Sequence, residues 1–292
     1  MHEFAALFLR HPGYAALGAG LFGVVALKVP PFALLSAALV ALQALRHGWL
    51  LGVLTAAGAG LLVAVGWYFL GSRPGLDFPL VFALWPPLLV AAEVLRRTAS
   101  QGLALVVVGF TAATLVLVMH ALTGDVVAFW RAWLGRAVAA VPGATVRGFE
   151  ENDTVRLMNG FMAVLYGLSL MLSLLLGRWL QSLVYHPGGF GAEFRRLRPP
   201  RLVLPLAVAA VWGAGYGSRV LMTDLFMVAM MLYFFVGLAV LHGVVAVRNL
   251  GWGWLAPVYL ALVYFPQAAL SGLALLGAVD SLVNFRDQQG TP

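Results

Sequence analysis

Residues 103–122 read LALVVVGFTAATLVLVMHAL, twenty positions without one charged side chain. At ~1.5 Å rise per residue such a helix is ~30 Å long, the thickness of the hydrocarbon core of a bilayer. Working outward with the same ruler, comparable runs occur at 49–70, 78–95, 157–180, 202–216, 220–247 and 254–283. A shorter pair, 14–27 and 32–45, is parted by Lys28-Val29-Pro30-Pro31. Tandem proline there removes an amide donor and restrains the residue before it. Whether that pair crosses twice or forms a re-entrant hairpin stays open at the level of sequence. The fold class expected is all-α, a polytopic integral membrane bundle of eight or nine transmembrane helices, with residues 1–292 as one membrane domain.

Composition agrees. Of 292 residues 62% are apolar and 10% charged, and the mean hydropathy is +0.93, whereas a soluble domain runs near ~45–50% and ~25%. So much apolar surface cannot be buried in one soluble core. There is no cysteine, which excludes disulfides, thiolate metal sites and cysteine nucleophiles. The net charge of +7 comes from arginines scattered at the ends of apolar runs, Lys28 being the only lysine. That pattern suits headgroup anchoring and topology; no dense basic block with interleaved aromatics points to nucleic acid.

With nine spans and a cytoplasmic N-terminus, Arg10, Arg46, Arg96, Arg97, Arg178, Arg195, Arg196, Arg198, Arg201 and Arg248 lie inside. Of the basic residues left outside, Arg131, Arg136, Arg147 and Arg156 share one long loop, where charge counts for less, so the N-in orientation is expected. The N-terminal stretch reads as an uncleaved first helix: Arg10 precedes an apolar run, but no small-x-small cleavage site with a polar mature segment follows.

Two loops stand out. In the first, 124–153, Val126, Phe129, Trp130, Trp133, Leu134, Ala137, Val138 and Val141 recur at helical spacing opposite Asp125, Arg131 and Arg136. This is the pattern of an amphipathic helix lying in the interface, read as an anchor or, more sharply, as a lid. The acidic turn Glu150-Glu151-Asn152-Asp153 that follows lacks calcium-loop spacing and is expected to cap a helix entry. The second loop, 181–201, carries the sharp Pro187-Gly188-Gly189 turn and the basic run Glu193-Phe194-Arg195-Arg196-Leu197-Arg198. Arg178, Trp179, Gln181, Gly188, Gly189, Phe190, Arg195, Arg196 and Arg198 are its candidate contacts to headgroups or a protein partner.

The Arg178-Trp179-x-Gln181 segment running into Pro187-Gly188-Gly189-Phe190 resembles the YybS-like family of bacterial inner-membrane proteins. So does Pro31-Phe32-Ala33-Leu34-Leu35 leading to Arg46-His47-Gly48, and so does the ending Gly277-Ala278-Val279-Asp280 to Phe285-Arg286. The resemblance covers nearly the whole chain. It implies a multi-pass inner-membrane protein of unknown function, distantly similar to the substrate-binding subunits of energy-coupling-factor vitamin transporters. Those subunits bind a small ligand and dock on a partner through small residues of the first helix. Ala15, Ala19 and Gly23, at four-residue spacing, would form such a face here.

Ionisable groups inside spans are costly and are functional candidates by default. Glu93 lies one turn from Arg96 and Arg97 and is expected to pair locally. Asp224 lies near the start of its span, beyond the Gly213-x-Gly215-x-Gly217 bend. Asp280 is the deepest acid of the last span, with Asn284 one turn on and on the same helical face. His120 and His242 sit in the last turns of their spans and read best as hydrogen-bonded packing. Prolines at 86, 87 and 266 interrupt two spans, and freed carbonyls at membrane depth need a partner or a ligand. Trp85, Tyr264, Gln267 and Asp280 thus form a candidate pocket, joined by Asn284 and Asp224 as candidate substrate-binding residues. No nucleophile elbow, phosphate loop or metal spacing occurs, so no catalytic residue, cofactor or metal is expected. Small-molecule binding or transport is the leading expectation. The alternative is a scaffold or assembly protein that recruits partners through the 181–201 loop.

Overall fold

The computed structural model describes residues 2–71, 78–139 and 153–283. Asn284 and, from the acidic turn, Glu150, Glu151 and Asn152 lie outside the described residues. Among those described there is no strand. Thirteen α-helices follow one another: α1 His2–Arg10, α2 Pro12–Ala26, α3 Phe32–His47, α4 Trp49–Leu70, α5 Leu80–Thr98, α6 Gln101–Thr123, α7 Val126–Ala139, α8 Met158–Tyr185, α9 Gly189–Arg195, α10 Val203–Gly217, α11 Arg219–Val247, α12 Ala256–Tyr264 and α13 Pro266–Val283. Five are long and apolar enough to cross a membrane: α4, α6, α8 with its leading 3₁₀ turn, α11 and α13. α2, α3, α10 and the segment Trp252–Tyr264 are apolar but shorter.

Local chemistry sets the boundaries. Ser100 and Ser218 cap α6 and α11, their hydroxyls accepting the amides of Leu103 and Leu221. Asp125 accepts the amides of Val127 and Ala128, both at 3.0 Å, and so starts α7. Pro266 opens α13, so the stretch expected as one span over 254–283 is two helices hinged at Phe265. Pro86 and Pro87 behave differently from expectation. They do not interrupt α5, which runs through both. Pro87 cannot donate to the carbonyl of Ala83, and the Tyr166 hydroxyl of α8 donates to it instead at 2.6 Å.

Close approaches at glycine fix the helix directions. A Cβ on Gly20 would strike Leu62 and one on Gly66 would strike Val24, so α2 and α4 run parallel. Gly109 against Leu232 and His120 against Asp224 set α6 antiparallel to α11, while Gly160 against Met227 and Gly167 against Met231 set α8 parallel to it. Gly237 meets the Leu273 carbonyl and Gly277 the Tyr233 carbonyl, which makes α13 antiparallel to α11 and sets Asp280 beside the middle of that long helix. The bundle therefore has a basic end, where α3, α5, α8 and α11 finish with Arg46, Arg96, Arg97 and Arg248 nearby. The opposite end holds the last turn of α6 and the first turns of α8 and α11.

One apolar core extends from α1 to α13. Two of its polar insertions tie neighbouring helices together, whereas Trp85 Nε1, Gln101 and Ser173 Oγ are buried without a hydrogen-bond partner among the described residues. Ser36 donates to the Ala19 carbonyl at 2.7 Å, and Gln43 donates to the Phe8 carbonyl at 2.6 Å, closing an open carbonyl near the end of α1. The small face Ala15, Ala19 and Gly23 is buried under α3 and α4 and is not presented to a partner, which corrects that expectation.

Candidate functional site

α7 buries Val126, Trp130 and Leu134 against Val155, as its periodicity foretold. The polar consequence is new. The Trp130 indole N–H donates to Asn159 Oδ1 over a long 3.4 Å, and Asn159 Nδ2 donates to Asp224 Oδ2 at 2.7 Å. His120 Nε2 lies 2.8 Å from the same oxygen. A nitrogen facing a carboxylate carries its hydrogen, so Nε2 donates. Four side chains from α6, α7, α8 and α11 thus form one chain of hydrogen bonds. Asp224 is fully buried, whereas the His120 side chain is 15% exposed. The second carboxylate oxygen, Oδ1, has no partner among the described residues. It faces Gly160, where a Cβ would come within 2.9 Å of it. Glycine is what leaves room for the acid.

An ionised carboxylate out of contact with water is tolerable only when it is paired and hydrogen-bonded. Asp224 has two donors on one oxygen and an open acceptor on the other. The arrangement can accept a donor group of a ligand at Oδ1, and α7 lies over it.

The second buried acid is Asp280. The segment after α9 passes so close to α6 that a Cβ on Gly102 would collide with the Arg198 carbonyl. Arg198 turns inward from there. Its Nη2 donates to the Asp280 carbonyl at 2.5 Å and lies 3.8 Å from Asp280 Oδ2. Arg198, expected at a headgroup, thus serves the interior. The rest of the 181–201 loop is clamped. Arg178 grips Glu193 through Nε at 2.8 Å and Nη2 at 2.5 Å, and gives Nη1 to Gln181. Gln181 in turn donates to the Leu45 carbonyl at 3.3 Å. Gly188 supplies the positive φ of the turn, Gly189 is buried against His186, and Trp179 and Phe190 pack on the core. Arg196 is exposed, and Arg195 is partly so.

The pocket expected from Trp85, Tyr264, Gln267 and Asp280 is not assembled. Trp85 is buried in α5, which packs on α2, α3, α4, α6 and α8, whereas α13 packs on α11 and α12. Tyr264 and Gln267 flank the hinge at Phe265 and are exposed. His120 and His242 also stay apart. They belong to opposite ends of the bundle, eighteen residues or roughly 27 Å separating Asp224 from His242 along α11. His242 Nδ1 donates to Leu238, and Tyr259 donates to Nε2 at 3.2 Å. Sequence reasoning missed Asn159, and it placed Trp130 on the apolar face of α7 without its bond to that amide. The available signal was a lone amide in the first turn of an apolar span.

Among the described residues no group of three or more histidines and acids could hold a metal. No protein-family model, curated protein or solved structure matches this chain, so its reading rests on the geometry above.

Proposed function

We propose that this chain is a small-molecule binding or transport protein of the bacterial inner membrane, YybS-like, with eight or nine crossings and a cytoplasmic N-terminus. The observation that carries the reading is Asp224: a fully buried carboxylate with His120 and Asn159 on one oxygen and an unpartnered second oxygen beneath a covering helix. Such groups are expensive inside a membrane bundle and mark ligand or proton pathways. His120, the partly exposed member, links the acid to the protein surface. A ligand with an N–H, O–H or cationic group would complete Oδ1. The chain carries no ATPase motif, so active transport would draw on an ion gradient or a partner.

Native mass spectrometry of the protein extracted from its own membrane tests this. A reproducible small-molecule adduct is expected, lost in Asp224→Asn and kept in Gly213→Ala, a change that meets nothing nearby. An adduct that persists in Asp224→Asn would overturn the assignment. Co-purifying proteins without any adduct would instead support a scaffold acting through the 181–201 loop.

A further inference from the structure

At the basic end, α4 and α5 line a groove of about 540 Å³, within the ~300–1,000 Å³ of ordinary ligand clefts. It runs along α5 from Pro86 to Thr98, roughly 18 Å, close to the depth of one leaflet. Its walls are apolar: Val53, Val90 and Val94, with Pro86 at the deep end. Trp49, 58% exposed, stands at the mouth, the usual depth of an interfacial indole.

The rim is cationic and unusually well held. Glu93, its side chain only 15% exposed, accepts Arg96 through Nε at 2.8 Å and Nη2 at 2.7 Å, and accepts Arg97 through Nε at 2.6 Å. One carboxylate thus fixes two guanidiniums and leaves the site a net positive charge. Arg97 lines the groove mouth, 69% exposed, and spends only its Nε on Glu93. Its two terminal nitrogens are left to meet an anion in the planar geometry that suits phosphate.

We propose that this groove is a binding site for one anionic glycerophospholipid, its phosphate on Arg97 and one acyl chain along Val90 and Val94 toward Pro86. The charge at the mouth, the apolar wall below it and the one-leaflet length select that occupant. A headgroup without a chain would leave the groove empty, and a zwitterionic lipid would bring its own cation to a rim that already carries net positive charge. Glu93 is the positioning residue.

The test is native mass spectrometry of the full chain titrated with phosphatidylglycerol and with phosphatidylcholine of the same acyl chains. One phosphatidylglycerol is expected to be retained in preference. Arg97→Ala should cut that preference about fivefold, the worth of one basic residue at an anionic surface. Val90→Trp, which fills the groove from the lipid side, should abolish the retained lipid. Glu93→Gln is the sharpest variant. It raises the net charge by one, so diffuse attraction would strengthen phosphatidylglycerol binding, whereas loss of the clamp weakens it. Stronger binding in Glu93→Gln, unchanged binding in Val90→Trp, or equal retention of the two lipids by the unaltered protein would each overturn the proposal. All three side chains face the rim or the lipid, so an unchanged melting temperature separates these effects from misfolding.

Discussion

The hydroxyl of Tyr166 occupies the position that the amide of residue 87 would hold in an unbroken helix, donating to the Ala83 carbonyl at 2.6 Å. Proline on one helix is thereby answered by tyrosine on another, and α5 stays continuous through Pro86 and Pro87. Tyr166→Phe is expected to destabilise the bundle by about 0.5–2 kcal/mol, the range for a lost hydrogen bond in this setting. Adding Pro87→Ala returns an amide donor to Ala83 and should recover most of the loss. A thermal-melt double-mutant cycle in detergent checks the coupling.

Asn159 joins the covering helix to the buried acid. Asn159→Leu removes both of its hydrogen bonds and leaves Asp224 with His120 alone. The expected cost is about 1–3 kcal/mol. The local signature is faster hydrogen exchange across residues 126–139, with α4 and α5 unchanged. Equal exchange in variant and parent would show that apolar packing alone holds α7.

The α11–α13 contact tolerates no side chain at two positions. Gly237→Ala or Gly277→Ala drives a methyl group into the Leu273 or Tyr233 carbonyl, and backbone cannot swing aside. Each is expected to cost at least about 1–3 kcal/mol by overpacking. Gly272→Ala, which meets nothing within 4 Å, should melt like the parent.

Glu193 ties α9 to α8 through Arg178. The pair is partly exposed, so its net worth is about 1 kcal/mol or less. Glu193→Gln is therefore expected to leave the melting temperature nearly unchanged while speeding trypsin cleavage after Arg195 and Arg196. Limited proteolysis with mass readout of the fragments measures it.

What the sequence disclosed and what it hid divide along a physical line. Apolar run length and 3.6-residue periodicity are local, so the helical class, the buried stripe Val126, Trp130, Leu134 and the hinge before Pro266 were readable from residue order. Which helix neighbours which is not local. His120 and Asp224 are 104 positions apart, and nothing in either span announces the other. Arg198 shows the same limit. In sequence it belongs to a basic, water-facing run, yet its backbone is wedged against Gly102 and its guanidinium turns to Asp280. Small residues at positions 15, 19 and 23 advertised a close contact correctly, but periodicity could not say that α3 and α4 already fill it.

The two buried acids share an order in the chain. His120 and Asn159 both precede Asp224, and Arg198 precedes Asp280. Translation runs from the N-terminus, so each carboxylate leaves the ribosome after its hydrogen-bond partners are already made. An acid arriving first would carry the cost of an unpaired carboxylate at membrane depth, about 2.5–3.5 kcal/mol, until its partners were made. In that order α11 and α13 arrive beside partners already made, so neither acid waits unpaired for a later helix.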